Sequence, residues 1–190
     1  MNRTSHVELL KLALLFEGGL IVVAGVIGWL FDVNPLDEFE WNMTALVQGL
    51  AATVPLFALF LMTYWLPFGP LQRIRRFLQQ ELGPWLAGCR WFEAVLIALT
   101  AGVGEEILFR GVLQPLCGIW GASLLFGLAH AITPTYAIVA GLIGGYLGWL
   151  VEWSDNLLPA IVVHSVYDFL AILVVGWSFR RQESRPGISP

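Results

Sequence analysis

Charge is scarce in this 190-residue sequence: Asp, Glu, Lys and Arg make up 13% of it and hydrophobic residues 57%. Soluble domains are about 45–50% apolar and about 25% charged. With a mean hydropathy of +0.74, water is not the main solvent of this chain. Basic clusters of the kind that bind polyanions are missing as well, the net charge being -4 and the pI near 5.3, so nucleic acid is set aside as a partner. Cysteine is limited to Cys89 and Cys117, which flank one apolar run and form neither a CxxC pair nor a disulfide framework, so both read as free thiols. No signal-peptide cleavage site precedes Asp32, and the first apolar run is longer than a signal core, which makes it a first membrane helix. Lipidation motifs, repeats and low-complexity tracts are likewise not found.

What the sequence has in plenty is long apolar runs. A hydrocarbon core about 30 Å thick needs about 20 helical residues per crossing. Apolar stretches fall at 9–31, 43–66, 91–113, 116–133, 135–153 and 157–178, separated by turn-formers or charge such as Asn34-Pro35, Gly69-Pro70, Gly83-Pro84, Pro134 and Asp155-Asn156. The expectation is one all-α polytopic bundle over 1–190 with about six spans. Its first 66 residues form two N-terminal helices and 179–190 form a tail. Leu71 to Leu78 alternates basic and apolar residues at helical spacing, which suits a short interfacial amphipathic helix or a solvated basic loop.

The basic residues Arg3, Lys11, Arg73, Arg75, Arg76, Arg90, Arg180, Arg181 and Arg185 fall on one side of a six-span chain. That asymmetry predicts cytoplasmic termini. The opposite loops carry Asp32, Asp37, Glu38, Glu40, Glu152 and Asp155. Trp29, Trp41, Trp65, Trp91, Trp149, Trp153 and Trp177 fall near span ends, where an indole sits well at headgroup level. A multi-pass protein of a prokaryotic plasma (inner) membrane is the expected location.

Ionisable groups inside apolar spans cost at least about 2.5–3.5 kcal/mol at a helix centre and are functional candidates by default. Six stand out on three spans: Glu105, Glu106, Arg110, His130, His164 and Asp168. Spacing of i,i+4 puts Glu106 with Arg110, Phe126 with His130, and His164 with Asp168 on common helix faces. Glu106 can pair with Arg110 and reads as a brace. Glu105 points about 100° away and has no cation on its own helix, which leaves it as the carboxylate free to take a proton from water beside a histidine. His130 and His164 can share that water or face the carbonyl oxygen as it gains charge, with Asp168 orienting the second ring. The same donors, Glu105, His130 and His164 among them, can equally hold a divalent metal such as zinc. A purely structural alternative is a buried Glu–Arg pair and two hydrogen-bonded histidines that lock helices together.

Gly104-Glu105-Glu106-Ile107-Leu108-Phe109-Arg110-Gly111 reads as EExxxR, Phe126-Gly127-Leu128-Ala129-His130 as FxxxH, and His164-Ser165-Val166-Tyr167-Asp168 as a third motif. With these in order on three spans, residues 90–175 resemble the CPBP family, the CAAX-protease and bacteriocin-processing (Abi) membrane proteins. That family includes type II prenyl-protein endopeptidases, which remove a C-terminal tripeptide after a prenylated cysteine. The resemblance implies an intramembrane endopeptidase in which Glu105 works with His130, while His164 and Asp168 bind the oxyanion. The third motif of the family commonly ends in Asn, and an ionised Asp168 has no hydrogen to donate. The implied substrate is a membrane-anchored protein or peptide, such as one with a C-terminal anchor or a bacteriocin leader where the host does not prenylate.

Other readings fit less well. A rhomboid-like serine site is half matched by Gly121-Ala122-Ser123, a second intramembrane aspartate for an aspartyl protease is missing, and no HExxH occurs. A proton-coupled transporter would also use buried Glu, Arg, His and Asp, but no inverted repeat is evident. A non-catalytic scaffold is the third class. Gly141 with Gly145 and Gly144 with Gly148 form small-xxx-small faces that suit close helix contact in any of these. One tension accompanies the expected spans: straight helices with these boundaries leave His130 about 15–20 Å from Glu105 and His164. A turn at Thr133-Pro134 buried in the bundle around a wet cavity is the expected resolution.

Overall fold

The computed structural model describes residues 3–66 and 69–184, and every regular element among them is helical. The chain runs through α1 (Arg3–Phe31), α2 (Met43–Trp65), the short α3 (Gly69–Phe77), a π turn (Leu78–Leu82), a single helical turn α4 (Gly83–Leu86), α5 (Trp91–Leu108), a second π turn (Phe109–Leu113), α6 (Gln114–Ala129), α7 (Pro134–Ser154) and α8 (Leu158–Glu183). Large apolar side chains such as Phe16, Val22, Val54, Leu124 and Leu142 point outward, as they should where lipid is the surrounding medium. Trp29, Trp41, Trp91, Trp149, Trp153 and Trp177 are exposed as well. The last helix continues past residue 179 to Glu183, and residues 185–190 of the expected tail lie outside the described residues.

Five helical runs are long and apolar enough to cross a membrane, where about six spans were expected. The difference lies in Trp91–Ala129, a run of 39 residues, which if straight would measure about 58 Å, roughly twice the hydrocarbon core. It is not straight. Gly118 adopts φ 72°, ψ 170°, and the Phe109 and Phe126 rings lie 4.9 Å apart, where a straight helix would separate them by about 25 Å. The chain therefore doubles back at Gly118. The expected break between 113 and 116 falls instead inside continuous helix, because Pro115 occupies the first turn of α6, where a missing N–H breaks no hydrogen bond.

The doubling back also resolves the distance between His130 and Glu105. Glu105 precedes Gly118 by thirteen residues and His130 follows it by twelve, so descent and return are each about 18–20 Å. His130 comes back level with Glu105. The turn after His130 is not buried as expected, since Ala131, Ile132 and Pro134 are exposed. Irregular backbone exposed to hydrocarbon is not tolerated, so this turn has to meet water.

Helix α8 packs on α2, α5 and α7, while α1 covers α5 and α6 pairs with α7. Close approach depends on small residues. A Cβ on Gly102 would strike Ser165 of α8, one on Gly104 would strike the Glu17 carbonyl of α1, and one on Gly127 would strike Ala137 and Gly141 of α7. On the acidic side, the loop after α1 is clamped to the α7–α8 turn: Asn156 donates to the Glu40 carbonyl at 2.8 Å and accepts from the Glu40 N–H at 3.3 Å, and Leu157 N–H donates to the Glu38 carbonyl at 2.8 Å. Cys89 and Cys117 are both free, and burial beside Glu93 pushes the Cys89 thiol up to about 11, which keeps it protonated and unreactive.

The Gly118 backbone lies in a region that side chains other than hydrogen hardly enter, so Gly118→Ala is expected to cost about 1–3 kcal/mol. Thermal unfolding in detergent measures this, and an unchanged transition would show that the doubling back does not depend on Gly118.

Candidate active site

The six charged or imidazole groups singled out in the sequence come together at one wall of the bundle. Glu106 is fully buried, and its Oε1 accepts from Arg110 Nη1 at 2.9 Å and lies 2.6 Å from His164 Nδ1. Arg110, also fully buried, donates through Nη2 to the Gly144 carbonyl at 2.8 Å. The expected Glu106–Arg110 brace therefore spans three helical limbs, and Gly144 is small because Arg110 and Phe126 lie against it. The π turn at Phe109–Leu113 carries Arg110. Such turns concentrate at functional sites, where they re-aim a side chain without ending the helix.

Phe126 connects the brace to the second motif. Its ring lies under Arg110 with 4.7 Å from guanidinium to centroid, stacks on His130 at 4.5 Å and meets His164 edge-on at 6.0 Å. His130 Nδ1 is 2.9 Å from the Phe126 carbonyl, an acceptor, so the proton sits on Nδ1 and the Nε2 lone pair faces outward. Nε2 lies 3.6 Å from Glu105 Oε2. Both groups can thus reach a single water molecule. His164 Nε2 is 3.5 Å from Asp168 Oδ2, so this ring lies between two carboxylates, and Glu106 holds it more closely than the Asp168 expected to orient it.

Glu105, His130, His164 and Asp168 line one part of a cavity of about 620 Å³ whose remaining wall is mainly apolar, including Leu56, Phe60, Ile143, Leu147 and Tyr167. The amphipathic α3 closes one side with Leu71, Ile74 and Arg75, the Arg75 guanidinium lying over Tyr64 and Trp65 at 5.4 and 5.6 Å. Among the described residues, no three His, Cys, Asp or Glu side chains are grouped to hold a metal ion. His164 Nδ1 is occupied by Glu106 and His130 Nδ1 by the Phe126 carbonyl. As arranged, these donors do not form a zinc site.

Two groups near the site were missed in the sequence. Gln114 donates to the Gly148 carbonyl and to Glu152, both at 3.1 Å, and fills the gap left by Gly148. More telling is Glu17, whose carboxyl hydrogen-bonds that of Glu105. It is the lone ionisable residue between Lys11 and Asp32, so the same rule that picked out the six would have found it.

With this geometry in view, comparison with known proteins gives a family for the segment that carries it. Residues 85–170 match the family described as type II CAAX prenyl endopeptidase Rce1-like. This is the resemblance implied by the three motifs, over nearly the same stretch. A 77-residue part of the chain is 35% identical to YpbD of Bacillus subtilis (strain 168), an uncharacterized protein, and covers 39% of this chain and 41% of that one. No solved structure matches. The Rce1-like segment contains Glu105, Glu106, Arg110, His130, His164 and Asp168, whereas Glu17 lies outside it.

Removing one partner of a buried ion pair strands the other, at a cost of about 3–5 kcal/mol. Arg110→Met is expected to lower stability by that amount when thermal unfolding is followed in detergent. A loss below 1 kcal/mol would mean that His164 alone satisfies Glu106.

Proposed function

We propose that the protein is a membrane-embedded endopeptidase in which Glu105 and His130 activate water against a peptide bond of a membrane-anchored substrate. The observation that carries this reading is the approach of Glu105 Oε2 to His130 Nε2, 3.6 Å apart, on the wall of an otherwise apolar cavity. The similarity of residues 85–170 to prenyl endopeptidases supports it.

The chemistry follows from the donors and acceptors present. Water held between Glu105 and His130 gives one proton to the carboxylate as its oxygen adds to the substrate carbonyl carbon. His164 is hydrogen-bonded through Nδ1 to Glu106 and keeps its Nε2 side beside Asp168. An imidazole between two carboxylates satisfies both when both nitrogens carry protons, and the Nε2–H then stabilises the oxyanion as charge develops. Asp168 retains that proton on Nε2 instead of donating one itself. The proton taken by Glu105 passes to the departing amine nitrogen as the C–N bond breaks, and the water oxygen ends in the new carboxyl group.

A cavity of about 620 Å³ is within the range that encloses most of a small ligand. Its apolar wall suits a lipid chain or an apolar segment that tethers the peptide, and the exposed turn after His130 suits a reacting bond close to the membrane surface. The basic residues of α3 and of the end of α8 favour the cytoplasmic side of a plasma membrane for that surface.

Quantitative terminal proteomics tests this on membranes from cells expressing wild type, Glu105→Ala or, as a control, Glu81→Gln at matched levels. New protein termini are expected with wild type and with Glu81→Gln, and they are expected to fall at least tenfold with Glu105→Ala. If no terminus depends on Glu105, the endopeptidase reading is wrong, and proton flux in liposomes becomes the assay for a transporter.

A further inference from the structure

An apolar span rarely carries a single acid without a reason, and α1 carries Glu17 among residues that otherwise face lipid or pack on α5. Gly104 brings the α1 backbone at Glu17 against α5 one residue before Glu105, since any side chain there would strike the Glu17 carbonyl. The two carboxyls are hydrogen-bonded. Ionised carboxylates only accept, so this bond requires a proton on one of the pair. Oε2 of each is buried with no hydrogen-bond partner among the described residues, and the Glu105 Oε2 is the oxygen nearest His130.

The neighbouring cation, Arg110, is bonded to Glu106 and to the Gly144 carbonyl. Two carboxylates in contact cannot both ionise readily, and the His164 imidazole is already held between Glu106 and Asp168.

We propose that Glu17 and Glu105 form one carboxyl pair sharing a single proton, with Glu17 the positioning residue that holds Glu105 against the cavity from outside the family-matched segment. This deepens the endopeptidase reading and rests on it for its chemical consequence. The pair, carrying one proton and one negative charge, accepts a second proton from the attacking water while the hydroxyl oxygen bonds to the carbonyl carbon. It returns that proton to the amine nitrogen when the C–N bond breaks, and is left again with one. The first helix is thereby part of the site and not a spacer.

The test is infrared spectroscopy of the purified full-length protein, with glutamate carrying carbon-13, at neutral pH in water and in heavy water. A carbonyl stretch of a protonated, hydrogen-bonded glutamic acid is expected in wild type, shifting with both isotopes and lost in Glu17→Gln and in Glu105→Gln. Circular dichroism reports whether each variant folds. If Glu17→Gln does not, Glu17→Asp, which shortens the contact, is expected to move the band. A band absent from wild type, or unchanged in a folded Glu17 variant, overturns the pair whatever the cleavage assay gives. A band that depends on both residues supports the pair even if no terminus depends on Glu105, in which case only the endopeptidase reading falls. Where cleavage is observed, Glu17→Leu is expected to lower it at least tenfold and Glu17→Asp to restore part of it.

Discussion

The bonds made by a single carboxylate oxygen, Oε1 of Glu106, hold this site together. A fully buried acid in a membrane bundle is tolerated only with its charge met, and here Arg110 from the next turn and His164 from α8 both meet it. Arg110 carries the tie on to the Gly144 carbonyl of α7. Phe126 lies under the same guanidinium, and His130 stacks on Phe126. A line of contacts thus runs from Glu106 through Arg110 and Phe126 to His130, and it sets the position of a ring that Glu106 never touches. Glu105, the neighbouring residue, is left to face the cavity.

That line exists because the chain reverses at Gly118. A helix must rise about 1.5 Å per residue, so the near-equal lengths between Glu105, Gly118 and His130 decide that acid and imidazole meet at one level. The return limb is short for a full crossing. Its end, the turn after His130, is exposed, which fits a site near the surface where water and a peptide can both arrive. In the proposed reading, the apolar cavity beside it would give the tethering part of a substrate a medium similar to the lipid it leaves.

Within the site the labour divides by environment. Glu106 is closed off and serves as a structural counter-ion, while Asp168 and His130 retain some contact with the cavity, their side chains about one-third and one-quarter exposed. Glu105 lies between these extremes, and Glu17 extends the site to α1. Small residues at the contacts, Gly102, Gly104 and Gly144, allow these polar groups to be enclosed by helices at close range.

The six candidate groups were legible in the sequence because hydrocarbon is hostile to charge, so each stands out against its span, and helical spacing alone pairs Glu106 with Arg110. The all-α bundle and the short amphipathic helix after residue 69 were legible for the same reason: the length and polarity of a segment follow from the medium it faces. Helical spacing says nothing of which helices touch. That His164 belongs to Glu106 more than to Asp168, that His130 returns level with Glu105 through a reversal at Gly118, and that α1 brings Glu17 into contact with Glu105 were decided only by packing. These contacts join residues 25 to 88 positions apart, and their geometry depends on backbone turns and small-residue contacts that hydropathy cannot encode.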